Sequence, residues 1–265
     1  MAGESIRDLL EVAVEIAEQA GKITLKYFGR TPAVETKADR TPVTAADLET
    51  EAYLREAVAS RFPSDGIIGE EFGEERAEAT RRWILDPIDG TFSFVRGVPL
   101  YGVLVGVEER DEPILGVIRL PALGETVAAA RGQGCHWDGR PATASLVSEL
   151  QDALCLATDF ALREDGSAQT SALRRLVGAS RAARTWGDCF GYVLVATGRA
   201  DVMVDREVHV WDCAPLLPVL EEANGRFTDW QGRRTIRGGT AVATNGLLHD
   251  EVLALLKGQA ATGEA

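Results

Sequence analysis

Apolar residues recur at helical spacing from the start of the chain. Leu9, Ala13, Ile16, Ala20, Ile23 and Tyr27 fall on one face, and Ser5 stands where a side-chain oxygen can cap the first free amides. This predicts a helix over residues 5–28. Pro32 and the polar run 37–42 then read as a loop. Thr44-Ala45-Ala46-Asp47 has the form of a variant capping box, so a second helix is expected from Thr44 to about Phe62, stopped by Pro63 and Gly66. After that the period shortens. Apolar runs at 67–69, 83–85, 102–107, 114–120 and 126–129, punctuated by Gly and Pro, predict strands joined by short turns and paired antiparallel. Beyond residue 150 the two element types alternate. Strands are expected at 154–158, 184–185, 202–204, 226–230 and 241–244, and helices at 169–177, 187–197, 211–223 and 247–256. The tail from about residue 258 is expected to fray. The whole predicts an α+β half over 1–145 packed closely on an α/β half over 146–265, with no internal repeat.

Composition adds mainly a charge problem. The 265 residues carry 28 Lys+Arg against 41 Asp+Glu, a formal charge of −13, which argues against nucleic acid or an anionic membrane as partner. With 45% hydrophobic and 26% charged residues the chain is globular in type, neither disordered nor a disulfide scaffold. The uncharged stretch 97–107 is eleven residues, too short to cross a bilayer, and the charged start of the chain is unlike a signal peptide, so a cytoplasmic location is expected. Cys135, Cys155, Cys189 and Cys213 show no CxxC spacing and read as buried reduced thiols. His136, His209 and His249 lie too far apart in sequence to suggest a zinc site. Metal chemistry, if present, falls to carboxylates and favours hard cations. The open question is whether so acidic a chain can act on a negatively charged substrate.

The sharpest segment answers part of it. Asp86-Pro87-Ile88-Asp89-Gly90-Thr91 places two carboxylates three apart, directly after an apolar strand and before a glycine turn. Pro87 stiffens the backbone between them, and Gly90 permits a tight turn that lifts amides toward a ligand. Such a turn suits two neighbouring hard cations, with amides left over for an anion. Two acids in a turn are usually a solvated loop. Five fixed letters, however, arise by chance in a chain this long with a probability on the order of 10⁻⁴. Glu70, in Gly69-Glu70-Glu71, follows another apolar strand, although Glu71, Glu74 and Glu75 around it fit plain surface charge. Asp212, in Trp211-Asp212-Cys213-Ala214-Pro215, begins an apolar helix, where capping alone would account for it.

Taken in order, residues 44–47, 69–71, 83–99, 194–201 and 211–215 resemble the inositol monophosphatase superfamily over nearly the whole chain. The resemblance implies an α/β fold, a layered αβαβα sandwich with the site between two subdomains. It also implies Mg²⁺-dependent hydrolysis of a small phosphorylated metabolite, by a homodimer. Carried across residue by residue, it places Glu70, Asp86 and the Ile88 carbonyl on one Mg²⁺. Asp86, Asp89 and Asp212 take a second, and a third sits near Glu70, giving two or three per active site. Thr91 with Asp47 would orient and deprotonate the attacking water, and the Gly90 and Thr91 amides would hold the phosphate. Lys37 matches a position near the metals. The hexapeptide is also similar to the D-x-D-G-T signature of haloacid-dehalogenase-type phosphatases, but its spacing is one residue too long.

Residues 184–192 look like the histidinol-phosphatase branch of the superfamily, with Asp188 where inositol phosphatases usually carry a small neutral residue. Asp205 matches the acid that touches the leaving alcohol. Two acids on that side favour an ammonium-bearing ligand such as histidinol phosphate over neutral inositol. The competing reading of Asp188 is a helix cap, and of Trp186, beside it, a core aromatic. Histidinol-phosphate phosphatase is therefore expected, ahead of inositol-1-phosphate phosphatase or a broad phosphatase. A non-catalytic ligand-binding homologue is disfavoured, because every expected site residue is present.

Overall fold

Ser5 and Asp8 exchange side-chain and amide hydrogen bonds of 3.1 and 3.2 Å, and this capping box starts helix α1 (Ile6–Tyr27). The computed structural model describes residues 5–30, 34–36, 42–160 and 167–258. A short hairpin of β1 (Val34–Thr36) and β2 (Pro42–Thr44) leads into α2 (Ala45–Arg61), whose own capping box pairs Thr44 with Asp47. Eight strands follow: β3 (Gly66–Gly69), β4 (Gly73–Glu75), β5 (Arg81–Asp89), β6 (Gly102–Glu109), β7 (Glu112–Leu120), β8 (Glu125–Ala130), β9 (Gly134–Trp137) and β10 (Arg140–Ala142), with the short α3 (Thr91–Val95) after β5. They form one sheet in the order β10-β9-β8-β7-β6-β5-β3-β4.

The remainder builds a second sheet. Strands β11 (Leu154–Leu156), β12 (Ala182–Arg184), β13 (Val202–Asp205), β14 (Arg226–Thr228) and β15 (Ala241–Thr244) lie in the order β12-β11-β13-β15-β14. Between them run α4 (Ala168–Ala179), α5 (Asp188–Ala196) and α6 (Val210–Glu222), and α7 (His249–Leu256) closes the described chain.

Burial sorts these elements into five layers. The apolar faces of α1 and α2 cover one side of the large sheet, with Trp83, Leu85, Val105 and Val117 beneath them. The other side of that sheet packs on α5 and α6, which also contact the small sheet. Helices α4 and α7 cover the far side of the small sheet through Leu173, Leu176, Val252 and Leu256. The result is the αβαβα sandwich expected. Helix α6 has no water-facing flank over residues 213–220, all of which are buried. Charged ties close the seam around it. Glu222 accepts the amides of Gly132 and Gly134 at 2.7 Å each, and the buried Glu108 accepts from Arg82 and Arg237.

Several local expectations differ from this structure. The pairing of β3 with β5 is parallel rather than antiparallel, because the chain first turns back through the edge strand β4 and then re-enters the sheet on the other side of β3. Strands β4, β9 and β10 and helix α3 are too short to show a period. Residues 184–185, expected as a strand, contribute only Arg184, at the end of β12. The four cysteines are free and buried. Among the described residues no helix is long and apolar enough to cross a membrane.

His249 tests the small sheet. Its ring is fully buried, with Nε2 2.9 Å from the Thr228 hydroxyl and Nδ1 3.0 Å from that of Thr244. Burial, helped by nearby Arg226, pushes its pKa down from 6.5 to about 4. The unfolded chain therefore binds the proton first. The stability this neutral ring contributes is present above pH 6.5 and is lost as pH falls toward about 4. Between those limits the wild-type protein should lose on the order of 3 kcal/mol more than His249→Gln, by denaturant unfolding at matched pH.

Candidate active site

Parallel pairing of β3 and β5 puts their carboxyl ends side by side, and both ends carry acids. The Glu70 amide continues the ladder to the Leu85 carbonyl at 3.2 Å, so Glu70 leaves the sheet beside Asp86 and Asp89. Around Pro87 the β5–β6 register shifts between Asp86 and Asp89. The Asp86 carboxylate accepts the Ile88 amide at 3.0 Å, and Gly90 turns the chain at φ +83° into α3. The Thr91 hydroxyl donates back to the Ile88 carbonyl at 3.0 Å. From the opposite side, the first turn of α6 delivers Asp212, one oxygen of which accepts the His209 amide at 2.7 Å. Asp86, Asp89 and Asp212 each offer a carboxylate oxygen, all within 4.8 Å of one another.

These acids line the floor of a cavity of about 580 Å³, together with Glu70, Ile88, Gly90, Thr91 and Asp188. Burial, then repulsion from Glu70, Asp89, Asp212 and Asp47, raises the Asp86 pKa well above the ordinary carboxylate range. Asp89 is raised for the same first reason, with Asp188 and Asp212 as its repelling neighbours, although the Cys189 amide opposes the shift. Asp212 is pushed up to about 7 by burial. Asp47 is also raised by burial. Its Oδ2 accepts from the Thr44 amide and hydroxyl at 2.8 and 2.7 Å, while its buried Oδ1 has no hydrogen-bond partner among the described residues. Crowded acceptor-only oxygens of this kind repel one another until a cation sits among them. The donor set is all oxygen, so the residues present fit a hard divalent metal.

The remaining expected residues divide. Asp188 packs directly against the Gly90 turn, where a Cβ added at Gly90 would stand 3.0 Å from its carboxylate. Its own φ is +51°, a strained value for a non-glycine residue, and burial pushes its pKa up to about 6. The N-cap residue of α5 is Gly187, and that cap has no side-chain hydrogen bond. Asp205 is placed differently. It is buried outside the lining of the main cavity, its oxygens accepting the Thr158 amide at 3.0 Å and the Tyr192 hydroxyl at 2.8 Å, and it lines a separate, smaller pocket. Trp186 is 41% exposed and is no core residue. Lys37 lies outside the described residues.

Other lining groups escaped sequence reasoning. Thr158 lies just past the end of β11, a parallel strand, and Thr185 past the end of β12. Position beyond a parallel strand's carboxyl end was the available signal. His209 and Trp211 stack at the rim with centroids 4.8 Å apart, and Phe92 projects there 61% exposed.

Fold and site together define a layered αβαβα protein with a carboxylate cluster, fit for a hard cation, at the floor of its cavity. Residues 5–260 match the inositol monophosphatase family. The chain is 43% identical over 255 residues to a histidinol-phosphatase of Chlorobaculum parvum, covering 94% of this chain and 97% of the relative. A histidinol-phosphatase of Mycobacterium tuberculosis is 41% identical over 258 residues, covering 94% and 98%. Among solved structures, a Thermotoga maritima IMPase superposes with a TM-score of 0.85 at 28% identity, covering 95% of this chain and 97% of that one. The chain belongs to the inositol monophosphatase family and is a phosphoric monoester hydrolase. Its substrates are small phosphorylated molecules.

If the cluster holds a divalent cation, adding Mg²⁺ to metal-free protein should raise Tm by several degrees. Asp86→Asn removes the acid that meets Asp47, Glu70, Asp89 and Asp212 together, and should abolish that rise while the far-UV circular dichroism stays unchanged.

Proposed function

We propose that this chain is a Mg²⁺-dependent histidinol-phosphate phosphatase of histidine biosynthesis, working as a cytoplasmic homodimer. The observation that carries the substrate choice is Asp188, a carboxylate that lines the cavity beside the Gly90 turn. Relatives named histidinol-phosphatase at 41–43% identity over 94% of the chain support it. A net charge of −13 supports the absence of nucleic acid or membrane from its partners.

Under this proposal Glu70, Asp86 and the Ile88 carbonyl hold one Mg²⁺, Asp86, Asp89 and Asp212 hold a second, and a third binds near Glu70. The half spanning 1–145 thus supplies most ligands. The half spanning 146–265 supplies Asp212 and the residues that choose the substrate. Bound cations acidify water, neutralise phosphate oxygens and steady the departing alkoxide. The chain's own groups do the rest. The Thr91 hydroxyl donates its hydrogen bond to the Ile88 carbonyl, so its oxygen is left to accept from water. Asp47 Oδ1, buried and without a partner among the described residues, receives the water proton. The Gly90 and Thr91 amides orient the phosphate, with Asp89 beside them. Water oxygen bonds to phosphorus as the ester P–O bond breaks, and the released proton ends on the leaving alcohol. Asp188 faces the ammonium of that alcohol. Asp205 acts on the same side, through Thr158 and Tyr192.

One observation favours inositol 1-phosphate as the second reading, since Ser93, Thr158 and Thr185 offer neutral hydroxyls to the same cavity. The kcat/KM ratio at fixed Mg²⁺ decides between them. It should favour histidinol phosphate at least tenfold, a difference of about 1.4 kcal/mol. Asp188→Ala should lower kcat/KM for histidinol phosphate selectively. Equal turnover of the two esters by the wild type, or uniform loss in the variant, would overturn the substrate assignment. Asp89→Asn should reduce turnover of either ester by about a hundredfold or more with the fold intact.

A further inference from the structure

Helix α2 carries a second buried acid that the proposed chemistry leaves unused. Glu51 stands one turn after Asp47 on the same helix and is fully buried. A buried carboxylate is costly unless its oxygens are satisfied. Here they are satisfied almost entirely by one stretch of backbone. Oε2 accepts the Glu71 amide at 2.6 Å, and Oε1 accepts the Phe72 amide at 3.1 Å. Arg55 steadies the same carboxylate through Nε at 2.8 Å, donates to the Gly73 carbonyl, and lies 5.8 Å above the Phe72 ring.

The residue before Glu70 is pressed on the same group. A Cβ at Gly69 would stand only 2.0 Å from Glu51 Oε1, so the carboxylate occupies the space a side chain there would need. Glu51 therefore touches the chain on both sides of Glu70. Beyond this segment the sheet ends, because β4 is an exposed edge strand throughout its three residues.

We propose that Glu51 is a positioning residue, a buried anchor that sets where the Glu70 carboxylate stands relative to Asp86 and so tunes cation affinity. It acts through Glu70 and touches neither substrate nor cation. The proposal rests on Glu70 being a cation ligand, as put forward above. Anchors of this kind behind a ligand are worth roughly 10–100-fold in metal affinity.

The experiment is Mg²⁺ titration of metal-free full-length protein, followed calorimetrically and by the shift in Tm, with the metal-free Tm as control of the fold. Glu51→Gln should weaken Mg²⁺ binding about 10–100-fold. Its kcat should recover at high Mg²⁺, with substrate KM within a few-fold of wild type. Glu51→Asp keeps the buried charge but withdraws it from the two amides, and should show the same loss if Glu51→Gln folds poorly. In a Glu70→Gln background either substitution should add little, because the route through Glu70 is already cut. A lower Tm with Mg²⁺ affinity unchanged would reduce Glu51 to a packing role and overturn the proposal. So would a full effect that persists without Glu70. If the wild type shows no Mg²⁺ response, the assignment of the cluster itself fails, and this proposal with it.

Discussion

Carboxylates repel, and this fold is organised around keeping several of them together. Asp86, Asp89 and Asp212 sit close enough to share a ligand, with Asp47, Glu70 and Asp188 near enough to disturb their ionisation. Such a grouping would relax apart on a flexible chain. Two devices hold it. One is the parallel β3–β5 pair, whose strand ends place the first acids in register. The other is α6, wedged between two sheets and unable to retreat. Stability is thus drawn from the apolar layers and used to maintain a site that opposes it, as strained functional sites generally require.

The same geometry resolves the difficulty posed by an acidic protein that handles an anion. Net charge describes the far field, whereas chemistry depends on what lies within a few ångströms. A cation placed among the clustered oxygens reverses the sign locally. Under the proposed function Asp188, beside the Gly90 turn and outside the ligand set, would keep its own. On that reading one cavity would offer positive potential to a phosphate and negative potential to an amine. Phe92, His209 and Trp211 add aromatic surface at its mouth.

Much of this was legible in the residues, and the failures have physical causes. The long amphipathic helices announced themselves, down to the Ser5 and Thr44 caps, because periodicity and capping are local. The Asp86–Thr91 turn was legible because so many positions in it are constrained at once. Asp47 and Asp212 were ambiguous for a sound reason, since each does cap its helix and also faces the cluster. One carboxylate has two oxygens, and local reasoning accounts for only one of them. The parallel pairing of β3 with β5 was hidden because strand order depends on contacts distant in sequence. Thr158, Thr185 and Glu51 were hidden likewise, their importance being a matter of which backbone lies opposite. That the oxygens of Asp205 are engaged by Thr158 and Tyr192 is a fact of tertiary contact alone.

A helix buried on every side cannot slide or turn by a fraction of a residue without leaving holes in two cores at once. Asp212 is fastened to such a helix, so its position is quantised by packing. Substitutions that soften the seam around α6 should not yield a site that is slightly looser everywhere. They should yield two populations, one aligned and one not, and the fraction aligned would set the apparent activity.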